Sequence, residues 1–85
     1  MDEARDRRLR WRCRRGMLEL DLWLQGFFDE HFHELDRNAQ ALFERLLEES
    51  DPTLLGWLSG TCAAMDSETR ALVERIRDAR SAAPE

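Results

Sequence analysis

The sequence predicts an all-α protein, a single domain built as a compact bundle of five short helices. Apolar residues recur at three- and four-residue steps through most of the chain. Strand formers are scarce: Val73 and Ile76 are the only valine and isoleucine, tyrosine is absent, and no stretch alternates for long with period two. With 85 residues, 42% hydrophobic and 36% charged, the chain has material for one core and a charged coat. The domain is expected to span 1–85, with about residues 1–3 and 81–85 frayed.

The elements follow in order. Residues 4–15 read as an arginine-rich first helix whose inward stripe is Leu9 and Cys13, with Gly16 as a left-handed cap directly after it. Residues 17–33 form the most apolar helix, carrying Leu20, Trp23, Leu24, Phe27, Phe28 and Phe32. Gly26 within it weakens the helix and suggests a bend or a close crossing. Asp36 caps a third helix with the stripe Ala39, Leu42, Phe43, Leu46 and Leu47. Asp51-Pro52 reads as a cap followed by proline at the first helical position, opening a short helix over 53–59 that Gly60 ends. Asp66 caps a fifth helix running to about residue 80, with Leu72, Val73 and Ile76 inward.

Charge separates along the chain. Residues 1–15 hold seven arginines against three acids, while the remainder is strongly acidic, so a basic helix sits on an acidic body of overall net charge −5. That acidity argues against a nucleic-acid domain, although the basic helix could reach phosphates. No run approaches the roughly 20 apolar residues of a membrane span, so no membrane insertion is expected. The opening residues mix acids with arginines and precede no apolar stretch. The expected location is the bacterial cytoplasm. Cys13 and Cys62 are too few for a disulfide framework and read as reduced thiols partly buried in helices.

Catalytic constellations are missing. Glu30, His31, His33 and Glu34 resemble metal ligands as a string, but His31 and His33 point about 200° apart on a helix and cannot share an ion. The cysteines have no histidine at a suggestive spacing, and no nucleophile elbow or phosphate loop occurs. The chain therefore reads as a binding module, without enzymatic activity and without metal. The richest segment is the joint between the first two helices, where Arg15 and Glu19 flank Gly16. A partner's backbone could approach the glycine between an outward guanidinium and an outward carboxylate; the plain alternative is a capped junction whose charges face water.

The run Arg8-x-x-Trp11-x-Cys13-Arg14-Arg15-Gly16-Met17-x-Glu19-Leu20-Asp21 resembles the signature of the SdhE family of succinate dehydrogenase flavinylation factors, whose hallmark is Arg-Gly-x-x-Glu. Further matches follow in order: Phe27-Phe28, Phe43-x-Arg45-Leu46-Leu47-Glu48, Asp51-Pro52 and Trp57-Leu58. The resemblance covers nearly the whole chain. It implies a five-helix protein that promotes covalent attachment of FAD to the flavoprotein subunit of succinate dehydrogenase, and often of fumarate reductase. FAD would then be the client's cofactor, not one held stably by this chain, and the free protein is expected to be a monomer. The resemblance makes Arg15, Gly16 and Glu19 the partner contacts, with Arg8, Trp11, Arg14, Met17 and Asp21 as matching neighbours. The alternative is a helical interaction module, or an antitoxin-like protein, whose partner is not a flavoprotein.

Overall fold

The computed structural model describes residues 3–82 and contains helices α1 (Glu3–Arg12), α2 (Leu18–His31), α3 (Arg37–Leu46), α4 (Asp51–Ser59) and α5 (Ser67–Ala82). A turn of 3-10 helix, Phe32–Glu34, follows α2. No strand occurs among the described residues. Of the ends expected to fray, residues 1, 2 and 83–85 lie outside the described residues, whereas position 3 opens α1 and positions 81 and 82 close α5.

Local chemistry sets most boundaries. The Asp36 carboxylate accepts from the Ala39 N–H at 2.8 Å and caps α3. Asp66 caps α5, accepting from the Thr69 N–H at 2.8 Å and the Thr69 hydroxyl at 2.7 Å. Those two donors hold the Asp66 carboxyl below the usual carboxylate range. Gly60 closes α4 in the left-handed conformation, φ 88°. Two expectations shift. The cap of α4 is Ser50, whose hydroxyl accepts from the Thr53 N–H, so Asp51 is already the first helical residue and Pro52 the second. The second helix stops at His31, because Phe32 tightens into the 3-10 turn to reach the core.

One apolar cluster joins all five helices. α2 gives Leu20, Leu24, Phe27 and Phe28; Phe43 and Leu46 come from α3, Leu54 and Leu58 from α4, and Leu72, Val73 and Ile76 from α5. Its centre is aromatic: Phe43 lies 5.9 Å from Phe27 and 5.5 Å from Phe32, ring centre to ring centre. α1 is attached differently. Leu9 is its only buried residue, joined by Cys13 just beyond its end. The remaining ties are polar: Arg10 grips Asp29 at 2.8 and 3.0 Å, His33 Nε2 pairs with Asp6 at 2.8 Å, and Arg5 pairs with Glu44. Exposed pairs of this kind are screened by water and each contribute little. α1 is thus strapped to the bundle more than packed into it.

Gly26 makes no close crossing. A Cβ added there would meet nothing within 4 Å, and the residue borders a small hollow between α2 and α5 shared with Trp23, Phe27 and Ile76. Gly26→Ala should therefore stabilise the protein by about 0.5–1 kcal/mol, through helix propensity and a less flexible unfolded chain. A thermal melt followed by circular dichroism should show a rise of about 4 °C; a fall would mean the glycine serves a bend.

A candidate docking face at the joint of the first two helices

α1 stops three residues earlier than its periodicity suggests. The Cys13 N–H is shared between the Leu9 and Arg10 carbonyls, and the Arg14 N–H reaches Trp11 O at 3.0 Å, so the last turn tightens. This drops Cys13 into the core, fully buried. Burial, with the Asp29 charge adding to it, pushes the Cys13 thiol up to about 12, so it behaves as a small apolar filler. Cys62 instead lies exposed in the link between α4 and α5, outside any helix. The chain then runs through Arg14–Met17 and turns at Gly16, whose φ of 84° is a conformation that side chains disfavour. Space is not the constraint, since an added Cβ would meet nothing within 4 Å. Met17, extended at φ −119° and ψ 120°, precedes α2.

Arg15 and Glu19, the charges on either side of Gly16, face opposite ways. Glu19 is exposed, and its carboxylate has no partner among the described residues. Arg15 turns inward, against the sequence reading, with its side chain only 16% exposed. Its Nε donates to Asp51 Oδ1 at 2.8 Å, Nη1 to the carbonyls of Leu47 at 2.8 Å and Arg12 at 3.3 Å, and Nη2 to the Glu49 carbonyl at 2.7 Å. The reason lies in α3: a helix end leaves carbonyls without intrahelical donors, and a guanidinium satisfies several at once. Asp21 also serves the joint internally, accepting from the Arg15 N–H at 2.6 Å.

What faces outward is apolar. Trp11 is 69% exposed, Leu18 75% and Leu22 45%, with Met17 beside them also exposed. The Arg14 guanidinium lies 5.6 Å above the Trp11 ring. Two open hollows flank that ring: one of about 610 Å³ bounded by Arg10, Leu18, Leu22 and Gln25, and one of about 440 Å³ bounded by Ala4, Arg8 and Arg12. Arginines around them are sorted by role. Arg10, Arg12 and Arg15 are bonded to the body of the protein, while Arg7 and Arg8 make no hydrogen bond or ion pair among the described residues. A solvated ridge of large apolar side chains inside a cationic rim makes this the candidate face for docking a partner protein.

Residues 7–80 match the family described as "Flavinator of succinate dehydrogenase". The chain is 40% identical over 75 residues to the FAD assembly factor SdhE of Coxiella burnetii, covering 88% of this chain and 92% of that one. The corresponding factor of Colwellia psychrerythraea is 48% identical over 69 residues, 81% of this chain and 76% of its own. That of Legionella pneumophila is 48% identical over 60 residues, 71% of this chain and 76% of its own. The chain belongs to the SdhE family of flavinators. Of the residues this family's signature singles out, Arg8, Trp11, Arg14, Gly16, Met17 and Glu19 are each exposed, whereas Arg15 and Asp21 are bonded within the joint. Sequence reasoning missed Arg7 and Leu22. The inward stripe of α2 runs through Leu20 and Leu24, and the same helical phase sets Leu18 and Leu22 outside. It also missed Asp51 as a partner of the motif, because a contact spanning 36 residues leaves no local pattern. The two histidines go to different partners, His31 to Glu34 at 3.5 Å and His33 to Asp6. No helix among the described residues is long and apolar enough to cross a membrane.

Proposed function

We propose that this protein is an assembly chaperone that binds the flavoprotein subunit of succinate dehydrogenase, and also that of fumarate reductase, and promotes covalent attachment of FAD to it. The observation that carries this reading is Trp11, exposed on a cationic ridge in a chain of the flavinator family. The chemistry belongs to the client. A client histidine must meet the flavin, and a small helper contributes orientation, which alone is worth large rate factors when the reacting atoms are held near contact. In this reading the protein is not an enzyme, holds no FAD of its own, and works as a monomer in the bacterial cytoplasm.

The face divides the labour. Trp11, Leu18 and Met17 supply apolar anchors, and tryptophan and arginine are the residues that most often dominate interface energetics. Arg7, Arg8 and Arg14 steer encounter with an acidic client surface. Glu19, unpartnered at the start of α2, offers a carboxylate to a client donor, a charge-assisted bond worth about 1.5–3 kcal/mol. Gly16 keeps the bend at the joint free of a side chain.

Co-expression with the client subunit, followed by in-gel flavin fluorescence, tests the proposal. A strong covalent flavin band is expected with this chain and a weak one without it; equal bands would contradict it. Glu19→Gln should lower the band several-fold while the far-UV spectrum is unchanged, and an undiminished band would remove Glu19 from the mechanism.

A further inference from the structure

The docking face has a remote support. α1 carries the anchor Trp11 yet buries one residue of its own, so its direction depends on polar ties. Most of those ties are open to water: the Arg10–Asp29 pair is half exposed on both sides, and His33, which holds Asp6, is similarly open. Arg15 is the exception. It is the least exposed arginine among the ion pairs, all three of its guanidinium nitrogens are bonded, and it stands next to the glycine at which the chain turns. Apart from the Arg12 carbonyl at the end of α1, its acceptors belong to another part of the fold: the carbonyls of Leu47 and Glu49 just past α3, and the carboxylate of Asp51 at the first position of α4.

We infer that Asp51 is a positioning residue for client docking: by holding the Arg15 guanidinium against the α3–α4 corner, it fixes the angle at which α1 presents Trp11. The carbonyls alone define where the guanidinium can sit, but they leave its Nε–H and its charge unanswered; Asp51 Oδ1 at 2.8 Å answers both. The Asp21 bond to the Arg15 N–H locks the same residue from its backbone side. A shift of this corner reaches Trp11 directly, since Trp11 stands in the last turn of α1 beside the joint, whereas the core, to which α1 itself gives only Leu9, is held mainly by the other four helices. This inference rests on the proposed function above.

A double-mutant cycle in client binding tests it. Affinity for the FAD-free flavoprotein subunit of succinate dehydrogenase is measured by titration calorimetry for Asp51→Ala, Arg15→Ala and the double variant, with circular dichroism confirming that each is folded. Asp51→Ala should weaken binding about tenfold, and should add little in the Arg15→Ala background, since the two act as one unit. Asp51→Asn, which keeps an oxygen acceptor for the Nε–H, should recover most of the affinity, a rescue that mere loss of fold stability would not give. In amide spectra of the free protein, Asp51→Ala should move the signals of Arg15, Gly16 and Glu19 more than those of core residues in α5. Asp51→Ala binding as tightly as the parent, or losses that multiply independently, would overturn the clamp. Failure of the parent protein to bind the subunit at all would instead overturn the functional reading beneath it.

Discussion

Trp11→Ala should lower affinity for the flavoprotein subunit about 30-fold while leaving the melting temperature within a degree or two of the parent. The two halves of this expectation come from one observation. A tryptophan that is 69% exposed contributes little to its own fold, and surface substitutions ordinarily change stability by less than about 0.5 kcal/mol. Buried by a partner between two hollows with arginines at its rim, the same side chain would act as an interface hot spot, where truncation costs about 2 kcal/mol or more. Titration calorimetry against the purified subunit gives the first number and a thermal melt the second. A variant that melts early would mean the ring is a structural brace, and unchanged affinity would move the docking face elsewhere.

Phe43→Ala should do the reverse, destroying the fold before any question of binding arises. Phe43 is fully buried and stacks among Phe27, Phe28 and Phe32, with ring centres 5.5 to 6.2 Å away. Emptying such a site costs about 3–5 kcal/mol, from lost apolar burial and the cavity left behind. A domain this small has a total stability near the lower part of the usual 5–15 kcal/mol range, so the change removes most of it. The melting temperature should fall by about 20 °C, with the chain partly unfolded at 37 °C. A fall of only a few degrees would show that the neighbouring phenylalanines collapse into the space.

These two aromatics also show what the sequence makes legible. Phe43 lies in a clean helical stripe with Ala39, Leu42, Leu46 and Leu47, and periodicity alone places it in the core. The same holds for Leu72, Val73 and Ile76, and the caps Asp36, Gly60 and Asp66 are readable because each satisfies its own helix end locally. The end of α1 is less legible. Its arginines are all good helix formers, and what stops the helix is the demand that Cys13 enter the core and that the chain turn at Gly16. At the joint, the signature residues are visible in sequence but their directions are not. Arg15 and Glu19 look equivalent as charges beside a glycine; only tertiary structure reveals that unsatisfied carbonyls at the end of α3 draw one inward and leave the other in water. Ser50 displaced Asp51 as the cap of α4 for a related reason, since the aspartate is committed to Arg15.

In the proposed function, the client sits on the outer face of α1 and the joint. Hydrogen–deuterium exchange of this protein, alone and mixed with the FAD-free flavoprotein subunit, addresses it without altering a residue. Amides from Arg8 to Leu22 should gain protection in the complex while those of α5 exchange as before. Protection confined to α3, α4 or α5, with the first two helices unchanged, would contradict it.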